Sequence, residues 1–336
     1  MHKRSFLRLA TAGLAGPLAP FAALAAFAPF APIAFAQTAR GYPARAIRMV
    51  SPFAAGTTSD TSARFVADQL SRALGQPVTV ENMPGADGRL GMMAAKNAAA
   101  DGYTLVMGSW TNLSVNPVLI KDLPYDPLKD FKPVAGIGRS MLGIVVSGKS
   151  EIKTLADLIA AAKARPNGVD FANFAAGYRL ATAWLSDLAS VTFTHVPYRA
   201  TSQMNTDIAG GIVQVGMDGV TSLTPMLRGG QLRMLAVTGE NRHPNFPEVP
   251  TIKETFPDFA VYGWSALMAR TEVPDDIVAV LSDAVNKAMA SDEGTAFAKK
   301  VGSELLLRGP AEMRAFQVAQ IENFRKVAAK SGLRPE

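Results

Sequence analysis

The chain has 336 residues, with 34 Lys and Arg against 28 Asp and Glu, three His and no Cys. Lacking cysteine, it has no disulfide, thiol nucleophile or thiolate metal site. Lys3, Arg4 and Arg8 stand in the first eight residues, so the rest keeps 31 cations against 28 anions, a balance of +3 rather than +6; it has no Lys/Arg cluster with interleaved aromatics to suggest a nucleic-acid partner.

The N-terminus reads as an export signal over residues 1–36. A basic start is followed by a stretch almost free of polar groups at 9–33, and Ala34-Phe35-Ala36 fits a small-residue cleavage site before Gln37. Pro17, Pro20, Pro29 and Pro32 argue against a permanent spanning helix. Lys3-Arg4-Ser5-Phe6-Leu7 also has the form of a degenerate twin-arginine signal, although ordinary secretory export fits as well. Both routes predict a mature chain that works outside the cytoplasm, long enough for two α/β domains.

Residues 47–50 then read as a strand, and Ala63, Val66, Ala67, Leu70, Ala73 and Leu74 repeat with helical spacing up to Gly75, a C-cap. Between them, residues 52–60 (Pro-Phe-Ala-Ala-Gly-Thr-Thr-Ser-Asp) deliver a helix N-terminus whose small residues and hydroxyls suit a carboxylate. The plainer alternative is an ordinary strand-to-helix turn in which Thr58 or Ser59 serves as N-cap.

Further strands are predicted at 78–81, 103–107, 144–146, 169–172, 192–196, 213–217, 232–237 and 262–268. Helices are predicted at 92–99, 274–290 and 311–329, and Thr154 with Asp157 forms a capping box opening another. This alternation predicts an α/β protein with mainly parallel sheets, the chain crossing between lobes within 134–146 and 260–268. Gly143 to Ser150 matches the P-loop pattern by letter, but Ile144, Val145 and Val146 prefer a buried strand to a phosphate-binding turn. Gly85, Gly88 and Gly91 lack the first G-x-G of a dinucleotide fingerprint and read as a turn that starts a helix. His195 and His243, the two His outside the signal, are too far apart in sequence to support a zinc site or a Ser-His-Asp triad.

From Tyr42 to the C-terminus the chain resembles the Bug family, the substrate-binding receptors of tripartite tricarboxylate transporters. The residues that carry the resemblance include Tyr42-Pro43, Pro52-Phe53 with Gly56 and Asp60, Val80-Glu81-Asn82 with Pro84-Gly85-Ala86, Asp101-Gly102-Tyr103-Thr104-Leu105, Leu123-Pro124-Tyr125-Asp126-Pro127 and His195-Val196-Pro197-Tyr198. Their order and spacing carry more weight than any one of them. The resemblance implies a two-lobed fold of the type II periplasmic binding protein kind, with lobe 1 at 42–140 plus 262–336 and lobe 2 at 141–261. It also implies a small carboxylate in the cleft, held largely by backbone amides and water, and no metal or cofactor.

The family's first loop usually reads Pro-Phe-x-Pro-Gly-Gly-x-x-Asp, whereas Ala55 and Thr57 replace its second Pro and second Gly here. The second cleft loop, usually rich in Gly, Ser and Asn, reads Asn173-Phe174-Ala175-Ala176-Gly177-Tyr178-Arg179 and is shorter by two residues. Tyr198-Arg199 stands where the family has Tyr-Lys followed by Gly. The ligand contacts expected from the resemblance are Phe53, Ala54, Ala55, Gly56, Thr57, Thr58 and Asp60 in the first loop, Asn173 to Arg179 in the second, and Ser109, Thr111, Tyr198, Arg199 and Asp218. Asp60 is expected to orient the first-turn amides rather than meet an anion. The rings of Phe174 and Tyr178 would favour an apolar or aromatic ligand body, with Arg179 pairing a second carboxylate; the alternative puts Phe174 in the core and leaves Arg179 solvated.

The expected function is that of a monomeric receptor that makes and breaks no bond, captures a mono- or dicarboxylate and hands it to integral-membrane permease subunits. Two alternatives use the same cleft. One is a sensory receptor signalling to a membrane kinase; the other is a hydrolase built on Ser109, Thr111 or His195.

Overall fold

The computed structural model describes residues 41–335, and the expected export signal lies outside them. In chain order the first elements are β1 (Ile47–Ser51), α1 (Thr58–Leu74), β2 (Val78–Asn82), α2 (Arg89–Lys96), β3 (Thr104–Ser109), α3 (Asn116–Leu119) and β4 (Phe131–Ser140). Next come β5 (Leu142–Ser147), α4 (Leu155–Ala164), β6 (Asp170–Asn173), α5 (Ala176–Ala189), β7 (Thr194–Pro197), α6 (Thr201–Ala209), β8 (Val215–Gly219), α7 (Val220–Arg228) and β9 (Leu232–Val237). The chain closes with β10 (Gly263–Arg270), α8 (Asp275–Ala290), α9 (Asp292–Val301), β11 (Ser303–Leu305) and α10 (Pro310–Lys330).

Local chemistry accounts for the best-defined elements. The side chain of Thr57 accepts from Asp60 N to cap α1, which ends at Gly75 with φ 66°, a left-handed conformation that glycine adopts without steric cost. The expected box of Thr154 and Asp157 opens α4. α9 was not predicted, although Ser291 caps it and Gly302, at φ 64°, ends it.

Two mixed sheets form, of order β11-β4-β10-β3-β1-β2 and β7-β6-β8-β5-β9. β1 is parallel to β2 and β3, and β6 to β7 and β8. β10 runs antiparallel to β3 and β4, β11 to β4, and β5 to β8 and β9. The expectation of mainly parallel sheets therefore needs correction. Parallel neighbours require a helical crossover on one sheet face, and β4, β5 and β10 leave for or arrive from the other sheet without one. The chain passes from the first sheet to the second at Met141 alone and returns between Val237 and Gly263.

Strand alternation divides the core. Ile144 and Val146 face the cluster that holds Phe171, Leu185 and Phe324, and Val145 faces the one under α6 and α7 with Ile208 and Leu223. All three side chains are fully buried, and burying a residue of this size contributes roughly 1.5–3 kcal/mol. This buried strand, paired on both sides by β8 and β9, is the segment that mimics a P-loop. A third cluster, with Met49, Leu70, Leu105 and Leu281, lies between the first sheet and helices α1 and α8.

Candidate functional site

The first loop leaves the C-terminal end of β1 and is tied down by its own side chains. Asp60 is 3 % exposed; its Oδ2 accepts from Gly56 N at 2.9 Å and from Arg64 Nε at 3.0 Å, and its Oδ1 accepts from Asn82 Nδ2 at 2.8 Å. Burial alone would raise this carboxyl, but the hydrogen bonds from Arg64, Asn82 and Gly56 outweigh it and hold the group below the usual range. Thr57 Oγ1 donates to Ala54 O at 2.9 Å while capping α1, so this hydroxyl shapes the loop. The structure thus makes Thr57, not Thr58 or Ser59, the N-cap. Among the described residues, the N–H groups of Thr58 and Ser59 meet no acceptor, and both residues line a chamber behind the loop.

The second loop leaves the C-terminal end of β6, and α5 begins already at Ala176. Asn173 Oδ1 accepts from Thr182 Oγ1 at 2.9 Å, and Asn173 Nδ2 lies 3.1 Å from His195 Nδ1. Phe174 is half-buried, 6.0 Å from the Phe53 ring and 4.7 Å from Tyr178, and Tyr178 in turn packs at 5.6 Å against Trp110. Helix α10 backs this stack through Phe324, 5.8 Å from Trp110.

Loops from the two sheets meet closely here. A Cβ on Gly177 would stand 2.7 Å from both Thr111 Oγ1 and the Trp110 ring, and one on Gly219 would stand 2.4 Å from Thr58 Oγ1. Thr58 Oγ1 is also 3.4 Å from Ser222 Oγ, and Ala176 N donates to Asp87 Oδ1 at 3.1 Å.

Two spaces flank the Phe53–Phe174 contact. The outer one is a cleft of about 650 Å³ lined by Phe53, Ala54, Thr57, Asn173, Phe174, Ala175, Ala176, Arg179, Tyr198 and Arg199 among others, a size suited to a small organic molecule. The inner one is a chamber of about 50 Å³ that includes Phe53, Thr57, Thr58, Ser109, Thr111, Phe174 and Tyr178. On its wall Ser59 Oγ, Ser109 Oγ and Trp264 Nε1 are buried with no partner among the described residues, so it offers polar groups to an occupant and has room for about three waters.

Most expected contacts therefore come together around these spaces. Ala55, Gly56, Asp60, Gly177 and Asp218 line neither. Ala55 and Gly56 are exposed, and Gly56 gives its N–H to Asp60. Asp218 is 1 % exposed, and its carboxylate accepts from Asn205 Nδ2 at 3.0 Å and Gly219 N at 2.7 Å. Tyr198 turns its hydroxyl to Asp207 Oδ2 at 2.9 Å. Sequence reasoning did not single out Asp87 or Trp264. The Asp-Gly turn pair at 87–88 was the only local signal for the first.

Residues 62–333 match the family described as tripartite tricarboxylate transporter family receptor. The chain belongs to that family. Protein BugT of Bordetella pertussis is 33% identical over 328 residues, covering 96% of this chain and 95% of BugT. The Rhodopseudomonas palustris protein Rpa4515, solved with adipate, superposes with a TM-score of 0.85 at 31% identity, covering 88% of this chain and all of that one. MatC of the same organism, solved with bound malate, gives 0.80 at 29%, covering 85% and 99%. These receptors share the two-lobed fold of periplasmic binding proteins, and the relatives are binding proteins rather than enzymes.

Proposed function

We propose that the mature chain is a periplasmic receptor that takes a small organic carboxylate into the cleft, closes its lobes around it and delivers it to membrane permease subunits. The lobes comprise 42–140 with 262–336, and 141–261. The observation that carries this reading is that both spaces are lined at once by the first loop, through Phe53 and Thr57, and by the second, through Phe174. A ligand there gains its full set of contacts only in the closed form, and that differential affinity is what drives closure. The acids bound to two relatives support a carboxylate, as do the first-turn amides of α1 and the Arg179 and Arg199 side chains at the outer cleft. Ser109 Oγ has no base within hydrogen-bonding reach among the described residues, and His195 is engaged with Asn173, which favours binding over hydrolysis.

Calorimetry on the mature chain with an organic acid and its neutral amide tests this reading. The acid is expected to bind at least about tenfold more tightly, since a charge-assisted hydrogen bond contributes roughly 1.5–3 kcal/mol. Equal affinity for acid and amide would refute it.

A further inference from the structure

We infer that Asp87 is a specificity-determining residue that supplies one carboxylate of the closed cleft from the protein itself, and so selects monocarboxylates over dicarboxylates. This rests on the carboxylate reading above. Helix α5 has 14 residues, and its own N-cap residue, Ala175, contributes no side-chain bond. Its first amide is capped instead from 89 positions away, Ala176 N donating to Asp87 Oδ1 at 3.1 Å.

That reach is built rather than incidental. Ala86 and Asp87 are non-glycine residues held at φ 47° and 55°, a conformation that L side chains adopt rarely. Asn116, fully buried, fixes the turn by donating from Nδ2 to Asp87 O at 3.0 Å, and Gly88 N donates to Gly85 O at 3.0 Å. The backbone of Asp87 is thus anchored by the buried Asn116 while its side chain meets the start of α5, the helix that follows β6 of the second sheet. Asp87 lines the outer cleft together with Phe53 and Phe174.

The end of a helix with aligned, uncapped amides is where a ligand carboxylate would be received, and here an internal carboxylate occupies the first of them. A second ligand carboxylate that reached this point would find the Ala176 amide engaged and a like charge beside it. A monoanion with an apolar remainder would instead place its one charge near the first-turn amides of α1 or the Arg179 and Arg199 side chains, and its body against Phe53 and Phe174.

Hexanoate and adipate share a six-carbon skeleton and differ by one terminal carboxylate, so calorimetry with both, on the mature wild type, Asp87→Asn and Asp87→Gly, isolates the effect. Asn keeps an acceptor for Ala176 N and tolerates the positive φ, removing only the charge; Gly suits the φ and frees the amide as well. The wild type is expected to bind hexanoate at least about tenfold more tightly than adipate, and both variants to shift that ratio toward adipate by roughly tenfold, Gly more than Asn. Adipate binding to the wild type as tightly as hexanoate, or a ratio unchanged in both variants, would overturn the inference while leaving the carboxylate reading intact. No heat from either acid with any of the three proteins would instead count against the carboxylate reading and take this inference with it.

Discussion

Replacing Gly177 with Ala is expected to weaken ligand binding by roughly 10- to 100-fold while leaving the fold intact, because overpacking a close contact costs about 1–3 kcal/mol. The added Cβ would stand 2.7 Å from Thr111 Oγ1 and 2.7 and 2.8 Å from Cζ2 and Cη2 of Trp110. Trp110 has nowhere to retreat: it is 3 % exposed and wedged between Tyr178 at 5.6 Å and Phe324 at 5.8 Å. Gly177 lies in the first turn of α5, where Ala is the better helix former, so the damage falls on the approach of α5 to Trp110 and not on the helix. Calorimetry gives the loss of affinity, and small-angle scattering shows whether the lobes stay apart in saturating ligand. A wild-type Kd would show that α5 need not come this close for binding.

The second large effect concerns Asp218, whose carboxyl burial pushes up to about 7 from 3.8 against the hydrogen bonds from Asn205 and Gly219. A folded-state pKa above the unfolded one means that the folded chain holds the proton more tightly. Stability from this group is complete below pH 3.8, is lost as pH rises from there to about 7, and stays lost above. A rise of this size corresponds to a change on the order of 4 kcal/mol. Tyr178 feels the same carboxyl, its hydroxyl being pushed far up by burial and then by Asp218. Buried His243 titrates in the opposite sense and is cancelled by comparing proteins, since its lowered pKa removes stability as pH falls. Urea unfolding of wild type and Asp218→Asn at pH 4 and pH 8 should show the wild type losing several kcal/mol more than the variant over that interval. Parallel pH profiles would mean that Asp218 keeps its charge when buried.

Local signals made α1 and its loop legible, because a hydroxyl cap, an apolar repeat and a terminal glycine all lie within twenty residues of one another. They also exposed the false P-loop, since three β-branched residues in a row belong in β5. β4 showed only as part of the crossing at 134–146, its start at Phe131 and its break from β5 at Met141 unmarked, because Pro133, Gly136 and Gly138 interrupt a strand whose place is set by pairing with β10 and β11. The start of α5 read as loop for a related reason. Its cap comes from Asp87, and no window around Ala176 contains that residue. The hydroxyl of Thr57 reads as a ligand donor, with the cap sought at Thr58 or Ser59, until Ala54 O and Asp60 N are seen beside it. The orientation of Phe174, open in the sequence, is decided by Phe53 from the other sheet.

The central claim is that the cleft binds an organic carboxylate from both lobes, and a melting-temperature screen of the mature chain against a panel of carboxylic acids and their neutral counterparts tests it most directly. A ligand at a hundredfold excess over its Kd stabilises the folded form by about 2.7 kcal/mol, which raises the melting midpoint of a chain this size by several degrees. At least one carboxylate is expected to give that shift and its neutral counterpart none. A panel in which no acid shifts the midpoint, or in which the neutral compounds shift it equally, would contradict the account.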